Sequence, residues 1–113
     1  MTRRERRTIE QPTGYGQVFD QSGDLVADVE YDLLVEQEIL VITDRSGVTR
    51  RPVMKDASGH ITLVETHADT ELWSGGPYVL HLEDGRHWRF LVDNPLGDTI
   101  DVTNASSEGL FKP

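Results

Sequence analysis

Asp-x-Ser-Gly is written three times in the first half of the chain, as DQSG at Asp20, DRSG at Asp44 and DASG at Asp56, with LEDG at Leu82 as a looser echo. Repeated Asp and Ser beside Gly invite two chemical readings. A calcium loop needs several oxygens at alternating positions of one segment, and Asp-x-Ser-Gly offers too few. A serine nucleophile needs a base and a strand-to-helix elbow, and no Gly-x-Ser-x-Gly is present. The same residues are what short hairpin loops require. Asp and Ser accept hydrogen bonds from turn amides, and Gly takes the positive-φ position. The four stretches are therefore read as hairpin turns.

Histidines and carboxylates are the remaining chemical groups. With residues 83–85 as a three-residue loop, His81 and His87 face each other across a hairpin. They are the candidates for a metal site, with Glu83 or His60 as a third ligand. Spacing fixes no third ligand, so no metal, cofactor or catalytic residue is assigned; a metal-dependent enzyme using His81 and His87 is a minor alternative. His60 and His67 differ in parity, which predicts opposite faces. The run DLVADVEYDLLVE from Asp24 alternates, with Asp24, Asp28, Glu30, Asp32 and Glu36 on one parity and Leu25, Ala27, Val29, Tyr31, Leu33 and Val35 on the other. That pattern is a half-buried strand with an acidic solvent face. A wet face offers nothing to raise a carboxyl pKa for acid catalysis, so recognition is the expected use.

The elements that must carry these groups follow from the turns. Placing a loop at residues 21–23 sets Phe19 opposite Leu25, Gln17 opposite Ala27 and Tyr15 opposite Val29, so Tyr15 and Phe19 join the apolar face. A loop at 83–85 sets Leu82 opposite Arg86, Leu80 opposite Trp88 and Tyr78 opposite Phe90. A loop at 57–59 sets Arg51 opposite Glu65, with Pro52 marking an edge or a bulge. Residues 39–42 are apolar on both parities and read as a central strand. Residues 68–73 read as a loop or one helical turn, 74–77 as a breaker, 94–98 as a turn and 99–103 as a short last strand. The expectation is an all-β antiparallel meander of about eight strands, a closed or nearly closed barrel, with a two-sheet sandwich as the alternative. Its aromatics, Tyr15, Phe19, Tyr31, Tyr78, Trp88 and Phe90, fill the interior or line a cavity there.

At 113 residues the chain is one domain able to bury about 65% of its unfolded surface. It has no cysteine, hence no disulfide or thiolate site. The basic start lacks an apolar run after it and no stretch is long enough to span a membrane, so the expected location is the cytoplasm. The organisation expected is a flexible basic arm over 1–13, a barrel over 14–104 and a loose tail over 105–113 whose Leu110 and Phe111 dock on the domain. The arm holds four arginines and two glutamates, 4 − 2 = +2, and the rest holds seven basic and eighteen acidic residues, 7 − 18 = −11. A body so acidic repels polyanions, so nucleic acid is not an expected partner.

Arg3-x-x-x-Arg7 followed by Asp20-x-Ser22 resembles, at those few positions, the pattern of PilZ domains. There, such an arginine pair precedes a small barrel with an Asp/Asn-x-Ser-x-x-Gly turn. The resemblance implies cyclic di-GMP binding, but Gly23 follows Ser22 directly and Leu25 stands where the pattern has glycine. The principal functional expectation is a non-enzymatic binding module presenting Asp24, Asp28, Glu30, Asp32 and Glu36 to a basic protein partner. The alternative is a lipocalin-like barrel holding a small ligand. An exposed strand edge would favour a dimer.

Overall fold

The strand that begins at Leu25 does not end where its alternation does at Glu36: residues 25–44 form one long strand rather than two. The computed structural model describes residues 1–67, 77–94, 99–105 and 111. Within them the strands are β1 (Thr2–Glu10), β2 (Thr13–Phe19), β3 (Leu25–Asp44), β4 (Gly47–Thr66), β5 (Tyr78–His81), β6 (His87–Asn94) and β7 (Thr99–Asn104). All pairings are antiparallel, and no helix long and apolar enough to cross a membrane occurs among these residues. The all-β expectation holds, with seven strands in place of about eight. Two expected pairs fuse into β3 and β4, and one strand, β1, is gained. The segments 68–76, 95–98, 106–110 and 112–113, with the loop, breaker and turn expected there, Trp73 and Leu110, lie outside the described residues.

Hydrogen-bonded neighbours run β3–β2–β5–β6–β7–β4 and return to β3, a ring of pairings that matches the nearly closed barrel. Its inner side chains form one cluster: Val18, Val29, Tyr31, Leu33, Ile61, Leu80, Trp88, Phe90, Ile100 and Val102 are all buried. Trp88 stacks on Phe90 at 5.4 Å between centroids and Tyr78 on Phe90 at 5.9 Å. The Trp88 indole N–H donates to Asn104 Oδ1 at 2.9 Å, which satisfies the polar end of an otherwise apolar side chain. Phe111 docks on this core as expected, 5.9 Å from the Trp88 ring and beneath the Arg86 guanidinium at 4.9 Å. Arg86 also binds Asp84 and both oxygens of Glu10, tying the end of β1 to the β5–β6 turn.

The ring uses only half of β3 and β4. Beyond Val35 the β3–β4 hairpin runs on to its tip, with β1 added on the free side of β3 by pairs from Thr2↔Ile42 to Thr8↔Glu36. This three-stranded arm gives the molecule extents of 62 × 26 × 22 Å and a radius of gyration of 16.7 Å, against about 13 Å for a compact domain of this length. The N-terminal stretch expected as a flexible basic tail is thus a strand. Two of its arginines find partners on other strands: Arg4 binds Glu38 of β3, and Arg6 binds Asp56 of β4 at 2.7 Å.

Three of the four turn readings hold. At residues 20–24 the Asp20 amide donates to the Asp24 carbonyl, the Gly23 amide to the Asp20 carbonyl, and Asp20 Oδ1 accepts from the Ser22 and Asp24 amides. At 82–86 the same backbone pattern recurs. DRSG closes β3–β4 with Asp44 opposite Gly47, and Asp44 Oδ1 accepts from the Ser46 amide and hydroxyl. DASG fails as a turn. It lies inside β4, Ala57 is buried, and Arg51 faces Leu40 while Glu65 faces Asp28. Its glycine is needed for another reason. Gly59 has φ of 148°, and a Cβ there would stand 2.2 Å from the Asp32 carbonyl oxygen of β3, where β4 is paired with both β3 and β7.

Tyr15 is the second correction. The register is Phe19↔Leu25 but Val18↔Ala27, with Val26 as the extra residue of a bulge, so Tyr15 faces Glu30 and is 61% exposed while Gly16 and Val18 point inward. Pro52 sits beside a bulge at Val53 on the unpaired edge of β4, as its chemistry demands.

Gly59→Ala is expected to destabilise the fold by more than about 2 kcal/mol, since it adds a backbone clash to the strain of a positive φ. Gly23→Ala, at φ 86° with no atom within 4 Å of the new Cβ, carries the strain alone. Urea titration of the two variants checks this; equal losses would show that the close approach of the Asp32 carbonyl to Gly59 is not limiting.

Candidate functional site

The outer face of the ring follows from the register. Opposite residues on antiparallel strands share a face, so Gln17, Asp28 and Glu65 lie in one row, Tyr15, Glu30 and Thr62 in the next, and Thr13, Asp32, His60 and Asp101 in the third. Of the five expected acidic residues, the structure gathers Asp28, Glu30 and Asp32 and adds Glu65 and Asp101. Asp24 lies in the β2–β3 turn, and Glu36 stands at the foot of the arm, opposite Thr8 and Asp56.

A bulge explains the additions. Between the pairs Asp28↔Glu65 and Val29↔Leu63, Val64 is the extra residue, and it is 60% exposed. The bulge flips the parity of β4, so that His60 and His67, expected on opposite faces, both come to the acidic one. His67 Nε2 lies 2.8 Å from Asp28 Oδ2, and its amide donates to the Val26 carbonyl at 2.8 Å. His60 Nδ1 lies 2.7 Å from Asp101 Oδ1. Among the described residues Glu30 and Asp32 have no hydrogen-bond or ion-pair partner for their side chains, so their charge faces solvent unbalanced.

The hydrogen bond from His67 holds the Asp28 carboxyl below its ordinary value, and the same bond, with the charges of Asp28 and Glu65, raises His67 above its own. Asp28, Glu65 and His67 bring one ligand atom each within 4.8 Å of one another. Two carboxylates and an imidazole are a donor set that divalent cations accept, and here the pairing of His67 with Asp28 already accounts for their approach.

His81 and His87 face each other as expected, with rings stacked at 4.1 Å, and Phe19 covers His81 from the other side at 4.3 Å. Burial first, and the neighbouring His87 second, lowers the His81 pKa. Neither proposed third ligand joins them. Glu83 accepts from the Tyr15 amide at 2.7 Å, and His60 is across the ring with Asp101. Among the described residues no carboxylate or further histidine completes a set of three with this pair.

Of the aromatics expected inside, Tyr31, Tyr78, Trp88 and Phe90 are buried in the core cluster, Phe19 is half-buried against His81, and Tyr15 is outside. The Tyr31 hydroxyl accepts from the Glu83 amide at 3.1 Å. Arg3 and Arg7 share one face of the arm with Glu5 between them, 2.9 Å from Arg3 and 4.0 Å from Arg7. Arg3 is opposite Val41 while the Asp20–Ser22 turn adjoins Leu25, so the two elements of the PilZ pattern stand at opposite ends of β3, roughly 50 Å apart at about 3.3 Å per residue.

The His67–Asp28 pair has a definite pH signature. A raised histidine pKa contributes stability below 6.5 that is lost as pH rises through the higher folded value. A lowered aspartate pKa contributes stability above 3.8 that is lost as pH falls through the lower folded value. The pair therefore stabilises most between those limits. NMR titration is expected to place the His67 midpoint above 6.5 and that of His81 below it, and Asp28→Asn to lower His67 while leaving His81 in place. An unmoved His67 midpoint in the variant would break the assignment.

Comparison with known proteins gave no matching family model, no matching curated protein and no matching solved structure, so the functional reading rests on this geometry.

Proposed function

We propose that the chain is a non-enzymatic binding module whose outer β2–β3–β4 face takes a basic segment of a protein partner. The observation that carries this reading is the row of Asp28, Glu30 and Asp32, joined by Glu65. These carboxylates stand on one exposed surface where, among the described residues, no lysine or arginine pairs with them and His67 on Asp28 is their one basic partner. Uncompensated like charge on a folded face is unfavourable by itself and favourable toward a partner of opposite sign. Beside it runs an open groove lined by Tyr15, Gly16, Gln17, Asp28, Val29 and Val64. Exposed Tyr15 and Val64 offer apolar contact to the aliphatic stem of an arginine or lysine whose head reaches Asp28. Burial on this face is too slight to tune a carboxyl for acid catalysis, which supports recognition over chemistry.

Fluorescence anisotropy with a labelled Arg/Lys-rich peptide tests this. Asp28→Asn/Glu30→Gln/Asp32→Asn, which keeps shape and removes charge, is expected to weaken binding by about tenfold or more and to flatten its salt dependence. Unchanged affinity in a variant that melts like the parent would place the partner elsewhere.

A further inference from the structure

The arm concentrates the opposite charge. Residues 1–8 and 36–56 hold eight of the eleven lysines and arginines, and five acidic residues: 8 − 5 = +3. The remainder holds three basic and fifteen acidic residues: 3 − 15 = −12. Of the arm's cations, Arg3, Arg4 and Arg6 are engaged by Glu5, Glu38 and Asp56. Arg45, Arg50, Arg51 and Lys55 have no acidic partner among the described residues. They lie at the tip and on the distal half of β4, interleaved with exposed Val48, Val53 and Met54. Here β4 has an open edge, since β7 pairs with it only from Ser58 to Thr62.

Resting on the reading of the acidic face as a receptor for a basic segment, we infer that its partner is a second copy of this chain. The distal β4 arm of each copy lies on the acidic β2–β3–β4 face of the other, in an antiparallel two-fold dimer. A single molecule cannot make this contact with itself. Arg51 faces Leu40, eight residues along β3 from Asp32, about 25 Å at 3.3 Å per residue, and the arm extends away from the ring. Two rod-like molecules, each basic at one end and acidic at the other, satisfy both ends when laid head to tail. Two-fold symmetry then repeats the contact and closes the assembly. The chemistry matches in kind: Arg51 and Met54, opposite Leu40 and Glu38 and so on one face of the arm, meet the carboxylates of Glu30 and Asp32 and the apolar Tyr15 and Val64. The alternative occupant of a basic β-ribbon, nucleic acid, is disfavoured by the −12 body that a polyanion would approach together with the arm.

Sedimentation velocity decides it. The full chain is expected to be dimeric at about 0.1 M salt and to dissociate toward monomer at about 1 M, where the Debye length falls to about 3 Å. Arg50→Glu/Arg51→Glu and Asp28→Lys/Glu30→Lys/Asp32→Lys are each expected to be monomeric at low salt, with melting curves that report folding. Mixed in equal amounts, the two variants are expected to form a heterodimer, because one intact pairing sense is replaced by its charge-swapped equivalent. Failure of the mixture to associate, or a dimer that survives both reversals, would overturn the inference. A parent chain that stays monomeric at low salt yet binds the Arg/Lys-rich peptide through Asp28, Glu30 and Asp32 would overturn it while sparing the receptor reading. A monomer that shifts a DNA duplex, with loss of the shift in Arg50→Glu/Arg51→Glu, would overturn it in favour of nucleic acid.

Discussion

The continuous pairing of β3 with β4, from Ala27↔Thr66 to the tip at Asp44↔Gly47, is the constraint on which the rest of the molecule depends. A ring of six strands closes over a core one strand-length deep, and it uses only the first part of β3 and the last part of β4. The hairpin does not end there, so its remaining length has to project. Projection leaves backbone edges without partners, and β1 covers one of them by returning along β3. Val41 is almost wholly buried in the arm, far from the main core, with Arg3 and Arg50 opposite it in register. On a thin sheet, cover of that kind comes from the aliphatic stems of long side chains, so the arginines help to make the arm as well as to charge it.

How much of this could be read in the residues depended on whether local chemistry and long-range pairing agreed. They agreed at the 20–24 and 82–86 turns, where Asp and Gly meet the needs of a three-residue loop and the flanking apolar residues are consistent with one register. Tyr78↔Phe90, Leu80↔Trp88 and His81↔His87 follow directly. They disagreed at DASG. The same residue types that close a hairpin there serve a close strand pairing in which Gly59 must admit the Asp32 carbonyl, and no local signal separates a glycine needed for a turn from one needed for close approach. Bulges were equally silent. An extra residue at Val26 moved Tyr15 outward, and one at Val64 brought His67 to Asp28, each by reversing a parity that alternation alone would have continued.

The N-terminal arginines illustrate the same limit. A strand is legible when one face is apolar, and residues 2–8 carry charge on both faces, so their composition is that of a solvated tail. What makes them a strand is the partner: β3 supplies the hydrogen bonds, and Glu38 and Asp56 supply counter-charges at the right registers for Arg4 and Arg6. The acidic face was legible in outline because its alternation is local to β3. Its completion by Glu65, His67, His60 and Asp101 was not, because those residues come from strands whose alignment is set by bulges and by ring closure.

Charge polarity is then a consequence of the topology. Because β3 passes from ring to arm without interruption, the acidic residues of its first half and the partners recruited by its second half are fixed at separate ends of one rigid ladder, with cations arriving from β1 and β4. The arm neutralises its own acidic residues, Glu5, Glu38 and Asp56, and keeps an excess of cation. The ring face gathers carboxylates from β3, β4 and β7, with His67 hydrogen-bonded to Asp28 and His60 to Asp101. Both ends of the field are held by paired backbone, so the charge separation is fixed by the fold itself.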